Sequence, residues 1–142
     1  MNISKQTKES NIVNVASYLK KMAESQPYLR AVVYPAGRDK SGRVTYAHLT
    51  FLQLDRLSDR IAHGLEKAGI RRGTRTILMV KQSPEFFALT FAIFKTGAIP
   101  VMVDPGMGIQ RMVRCFQESK PEGFIGIPTA QVLLKLCPKF FN

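Results

Sequence analysis

The residues of this 142-residue chain that come nearest to chemistry form a turn, Asp104-Pro105-Gly106-Met107-Gly108, between an extended apolar run and a helical one. Two glycines at such a junction let successive backbone N–H groups converge. A helix N-terminus behind them adds partial positive charge, so the turn could meet a phosphate or a carboxylate. The dinucleotide-binding fingerprint would need a third glycine at position 111, where this chain carries Arg111. An acidic ribose anchor is also wanting, since Glu122 precedes an extended run instead of ending one. The turn therefore reads first as a tight strand-to-helix connection and only second as a ligand contact.

The other candidates are thinner still. Arg71, Arg72 and Arg75 flank Gly73 between a helix and a strand and could meet phosphates, but a basic loop of this kind is ordinarily solvated surface. Arg111 and Arg114 read as the wet face of the next helix. His48 and His63 each lack a second histidine or a cysteine at ligand spacing. Cys115 has no neighbouring base and reads as a small buried or boundary residue. No GxSxG, P-loop, HExxH or paired-carboxylate arrangement occurs. The residues alone assign no catalytic, cofactor-binding or metal role to any position.

The composition suits one ordinary globular domain: 45% hydrophobic, 22% charged, with no low-complexity segment or internal repeat. Its charge is less ordinary, with 21 Lys and Arg against 10 Asp and Glu, a net +11 that draws polyanions in general. Aromatic residues are not interleaved with the basic ones, which argues against nucleic acid. The two cysteines, Cys115 and Cys137, exclude a disulfide scaffold and suggest a reducing, cytoplasmic compartment. Residues 1–10 are polar and do not resemble a signal peptide. The longest apolar stretch, residues 86–94, is far short of the roughly 20 residues a membrane span requires.

The elements that must position these residues follow from periodicity. Residues 1–11 read as a flexible leader and 12–25 as an amphipathic helix, with apolar positions Ile12, Val15, Ala16, Leu19 and Met22. Extended runs at 31–34 and 43–51, joined by a loop bearing Gly37 and Gly42, predict a hairpin. Thr50 and Gln53 form a capping box ahead of a helix whose apolar face is Leu54, Leu57, Ile61, Leu65 and Ala68, with Gly69 as its stop. Asp55, Asp59, Arg60 and Lys67 fall on the other side.

Strand and helix then alternate: a strand at 74–80, a helix at 84–96 and a strand at 99–103, followed by a helix at 108–119, a strand at 123–127 and a helix at 129–136. Ser83-Pro84-Glu85 supplies an N-cap, a first-turn proline and a first-turn acid. The helix at 84–96 is apolar on nearly every side and should be covered all round, and the nine phenylalanines read as core. The alternation predicts an α/β fold, a partial and mostly parallel sheet with flanking helices, preceded by a helix and a hairpin.

The order of these pieces resembles a known family. Val44-Thr45-Tyr46 leads into Thr50-Phe51-x-Gln53-Leu54-Asp55 and Ser58-Asp59-Arg60-Ile61-Ala62-x-Gly64-Leu65. Then come Gly69-Ile70-x-x-Gly73-Thr74-Arg75, Ser83-Pro84-Glu85-Phe86-Phe87 and Lys95-Thr96-Gly97-Ala98-Ile99-Pro100-Val101. This combination resembles the N-terminal segment of the AMP-forming adenylating enzymes: acyl-CoA synthetases, luciferase-like ligases and peptide-synthetase adenylation domains. Val103 to Gly108, with Phe124-Ile125-Gly126-Ile127-Pro128 after it, looks most like the olefin-biosynthesis β-lactone synthetase branch.

The resemblance implies that a fatty or β-hydroxy carboxylic acid and ATP, with Mg2+, give an acyl-adenylate and pyrophosphate. It also implies that residues 12–142 are an incomplete N-terminal subdomain. The family's Ser/Thr/Gly-rich phosphate loop, its adenine and ribose contacts and its C-terminal lysine have no counterpart among these residues, so the chain alone should neither bind ATP well nor catalyse. Uncovered apolar faces, including Phe140 and Phe141, predict self-association. The alternative that stands beside this is a self-sufficient basic α/β module binding a polyanion or nucleotide; a dinucleotide-domain fragment is weakened by Arg111.

Overall fold

The computed structural model describes residues 14–128. The expected leader at 1–11 and the helix at 129–136 lie outside them, as do Phe140 and Phe141. Helix α1 spans Ala16–Ser25 and buries Ala16, Leu19 and Ala23, one residue per turn of a single stripe. Asn14 sets its start. The Asn14 Oδ1 accepts from the Ala16 N–H at 2.9 Å, answering an orphan donor of α1, while its Nδ2 donates to the Phe94 carbonyl at 2.6 Å and so links the start of α1 to the residues of a second helix.

Strands β1 (Arg30–Arg38) and β2 (Val44–Thr50) pair antiparallel as the expected hairpin. The first strand is longer than its apolar run predicts. It continues through Pro35-Ala36-Gly37, with Pro35 opposite Tyr46 and a register shift between Pro35 and Gly37. The Asp39 carboxylate closes the loop by accepting from the Ser41 and Arg43 N–H groups at 2.8 and 2.9 Å.

Helix α2 (Phe51–Lys67) opens on the predicted capping box: the Gln53 N–H reaches Thr50 Oγ1 at 3.3 Å, and the Thr50 N–H reaches Gln53 Oε1 at 2.9 Å. Its buried centre differs from the predicted face. Leu54, Ser58 and Ala62 are buried, Leu57, Ile61 and Leu65 are half-buried at the margins, and Ala68 is exposed. Ser58 escapes a hydrophobicity reading because it is polar, yet its hydroxyl is satisfied within the helix by the Asp55 carbonyl at 2.8 Å. Small residues at this seam let α2 lie close against the next helix.

The remaining elements form the parallel sheet. Strand β3 (Arg75–Met79) lies between β4 (Ile99–Met102) and β5 (Gly123–Gly126) and is parallel to both. Helix α3 (Pro84–Thr96) connects β3 to β4, and α4 (Ile109–Ser119) connects β4 to β5. Successive side chains of β3 serve opposite faces. Ile77 and Met79 pack with Val103, Met112 and Phe116 under α4, whereas Leu78 packs with Ile70, Ile93 and Ala98 under α3. The two helices therefore cover opposite faces, as expected when a parallel connection steps to one side and the next steps back across.

Two expectations about α3 are corrected. It is not covered all round: Ala88, Ala92, Ile93 and Thr96 are buried, but Phe87 is 40% exposed and Phe86, Phe91 and Phe94 are half-buried. The small residues face the neighbouring elements and permit close approach, which leaves the rings at the rim. Of the phenylalanines among the described residues, Phe116 alone is buried.

Candidate functional site

Open parallel sheets bind ligands beyond the carboxyl ends of their strands, where neighbouring connections leave to opposite faces. Here that place lies between the ends of β3 and β4, at the loops 80–83 and 103–108. The second loop contains the Asp104 turn. A short 3-10 turn, Pro105–Met107, precedes α4, and the Asp104 Oδ1 accepts from the Gly106 N–H at 2.8 Å. The Met107 N–H is directed back to the Asp104 carbonyl at 3.2 Å. Two of the turn's N–H groups are thus engaged by Asp104 itself, that of Gly106 by its carboxylate and that of Met107 by its carbonyl, and the carboxylate puts negative charge beside the start of α4.

The first loop starts α3 in a way that corrects the predicted cap. Ser83 is extended and its side chain accepts no backbone N–H. The Ser83 hydroxyl, together with the Glu85 backbone N–H, instead holds the Glu85 carboxyl below the usual carboxylate value. Proline at the first helical position and the acid in the first turn are as expected. Gly97 ends the helix in the left-handed region at φ 72°.

The predicted arginine cluster separates. Arg75 turns to β5, where its Nε donates to the Lys120 carbonyl at 2.8 Å and Nη2 stands 3.0 Å from Glu122 Oε1. Glu122 is therefore a partner for Arg75 and no ribose anchor. Arg71 and Arg72 remain exposed and share an open groove with His63 and Lys67. Arg111 and Arg114 lie on the wet face of α4; Arg114 Nε donates to Glu118 at 2.8 Å, and that bond raises the Arg114 pKa. His48 is exposed on the hairpin, and His63 stands 3.7 Å from Glu66. Cys115 is half-buried, with its thiol 3.9 Å from the Met107 sulfur. Among the described residues no three His, Cys, Asp or Glu side chains are grouped to hold a metal ion.

Two features escaped the sequence reading. Lys95 Nζ donates to Asp55 Oδ1 and Asp59 Oδ1, both at 2.6 Å, and to the Asp55 carbonyl at 3.0 Å. The Lys95 and Asp55 side chains are each only 14% exposed, so this ion group ties α3 to α2. The participants lie 36 and 40 residues apart, and periodicity read Asp55 and Asp59 merely as the outer side of α2. The second feature is an apolar cavity of about 430 Å³ between α1, the hairpin, α2 and α3, walled by Leu19, Val32, Phe51, Leu54 and Phe91. No single element shows it, because its wall is shared among α1, β1, α2 and α3, each contributing two or three residues. No helix among the described residues is long and apolar enough to cross a membrane.

Comparison with known proteins adds what this geometry leaves open. A family model described as AMP-binding enzyme matches residues 19–139. The chain is 44% identical over 128 residues to the olefin beta-lactone synthetase of Xanthomonas campestris pv. campestris, covering 89% of this chain and 23% of that protein. It is 47% identical over 122 residues to the olefin beta-lactone synthetase of Stenotrophomonas maltophilia, covering 84% of this chain and 22% of that protein. Among solved structures, the N-terminal domain of FACL13 from Mycobacterium tuberculosis superposes with a TM-score of 0.69 at 24% identity, over 87% of this chain and 29% of that one. The chain thus spans under a quarter of the length of the two synthetases, in their N-terminal part.

Proposed function

The chain belongs to the family of AMP-binding enzymes, and we propose that residues 12–142 form the incomplete N-terminal subdomain of an adenylate-forming domain, with 1–11 as its leader. The parent protein activates a fatty or β-hydroxy carboxylic acid with ATP as an acyl-adenylate, releasing pyrophosphate. In the β-lactone branch, the 3-hydroxyl of the activated acid then closes on its own carbonyl and AMP leaves. The observation that carries this reading is the identity of 44 and 47% to two olefin beta-lactone synthetases over nearly the whole chain.

The described residues do not fit a magnesium nucleotide. In the glycine turn at the sheet's carboxyl edge the Asp104 carboxylate holds the Gly106 N–H, setting negative charge there, and no three metal-ligating side chains are grouped among the described residues. ATP, Mg2+ and the acid are accordingly assigned to the rest of the parent, and the 142-residue chain by itself is assigned no catalysis. Its part is scaffolding: a βαβαβ unit, with β3 buried at its centre, carrying the loops at 80–83 and 103–108. Exposed Tyr28, Tyr46 and Ile109, at 83, 68 and 62%, mark apolar surface that the remainder would cover and through which the isolated chain self-associates.

The test compares the chain with a version extended to the length of the two synthetases, each given ATP, Mg2+ and a 3-hydroxy fatty acid. The extended protein should release AMP and pyrophosphate, and the 142-residue chain neither; calorimetry should find no submillimolar ATP site in it. Adenylate formation by the chain alone would overturn the proposal, as would an extended protein inert toward every carboxylic acid offered.

A further inference from the structure

A row of cations runs along the outer surface of α2. Arg56, Arg60, His63 and Lys67 follow at spacings of four, three and four residues and all are exposed. At 3.6 residues per turn they lie within about 40° of one line, and they span about 17 Å of helix. Arg71 and Arg72, in the loop beyond, share a groove with His63 and Lys67 and so prolong the row. The stem of Arg72 lies over Gly97, where a Cβ would come within 3.2 Å of Arg72 Cγ.

Among the described residues, the side-chain cations of Arg56, Arg60, Lys67, Arg71 and Arg72 have no carboxylate or hydrogen-bond partner. Asp59, which borders the row, is engaged by Lys95 at 2.6 Å, and Glu66 faces His63 at 3.7 Å. Like charges four residues apart weaken a helix. Within the row Lys67 favours α2 by standing in its last turn, and the charge of the other cations is uncompensated and available to something else.

We propose that this row is a docking surface for an acidic helix of a partner protein. A helix bearing carboxylates at i, i+4, i+7 and i+11 repeats the rise of the row and meets each cation in turn. The row is one helix wide, with the Glu66 carboxylate half-exposed along one flank; a helix of matching pitch meets the cations without covering Glu66, whereas a broad anionic bilayer would face it. Residues 52–85 contain no Phe, Tyr or Trp on which bases could stack, which disfavours a nucleic-acid strand. Contacts of this exposed kind steer association and give way to salt.

The probe is a labelled helical peptide with glutamates at those four positions on an alanine and glutamine background, titrated by anisotropy with the 142-residue chain at low salt. Its control has the same composition with the glutamates spread around the helix. The striped peptide should bind about tenfold more tightly than the control, and the R60Q/K67Q variant should lose about tenfold without losing thermal stability. The charge-keeping R60K/K67R variant should bind like the original. Equal binding of the two peptides, undiminished binding by R60Q/K67Q, or weak binding by R60K/K67R would overturn the proposal. So would tighter capture of a phosphatidylserine vesicle or a DNA duplex than of the striped peptide at matched salt.

Discussion

Replacing Lys95 by methionine keeps the stem of the side chain and removes three charge-assisted hydrogen bonds. Two go to Asp55 and one to Asp59, at 2.6 to 3.0 Å. What remains decides the magnitude. The Asp55 carboxylate, 14% exposed, is left without its cation, while its carbonyl keeps the Ser58 hydroxyl. Asp59, 54% exposed, returns to water at little cost. A fully buried pair broken on one side costs about 3–5 kcal/mol, and an exposed one under about 1 kcal/mol. One burdened carboxylate at a partly covered site places Lys95→Met at about 2–3 kcal/mol.

Urea unfolding should show that loss as a lower midpoint at unchanged slope, and a melt should fall by about 8–12 °C for a chain of this size. Asp55→Asn in the Lys95→Met background should then add little, because the uncompensated charge has gone. A coupling of about 1–2 kcal/mol is expected for Lys95 with Asp55, against under about 0.5 kcal/mol for Lys95 with Asp59. A Lys95→Met variant within about 0.5 kcal/mol of the original, or strictly additive Lys95 and Asp55 changes, would refute the reasoning.

Two further predictions come from the sheet and from α3. A Cβ on Gly123 would stand 2.9 Å from Oγ1 and 3.2 Å from Cγ2 of its buried register partner Thr76, so Gly123→Ala should cost about 2 kcal/mol or more, with part recovered by Thr76→Ala; calorimetric melts decide this. Ser83→Ala should let the Glu85 carboxyl rise toward the ordinary carboxylate value, followed by NMR titration of its side chain. Because Glu85 has its folded pKa below the unfolded one, its contribution is present above the ordinary value and is lost as pH falls through the folded one. The variant should therefore lose less stability than the original across that acidic window. An unchanged Glu85 titration would contradict the role given to Ser83.

Much of the architecture was legible because it rests on local rules. The capping box of Thr50 and Gln53, proline at the start of α3, Gly97 at its end and the alternation of apolar runs each act within a few residues. They mark the same elements in the sequence as in the fold. The family resemblance was legible for the same reason, as an ordered series of such junctions.

The three-dimensional arrangement decided what depends on partners distant along the chain. Asp104 reads as a possible phosphate turn until its own carboxylate is seen on the Gly106 N–H. Arg75 belongs to a basic cluster in sequence and to Glu122 in space. Ser58 and the alanines of α3 become the packing seam because α2 and α3 meet there, and that meeting pushes the phenylalanines to the rim. Asp55 and Asp59 likewise pass from an outer helix face to the buried cation of Lys95. Periodicity tells which face of an element is apolar, but it carries no account of what lies across from that face. Charge pairing, close approach and the fate of a backbone N–H are set there, between elements, and only the folded chain brings those elements together.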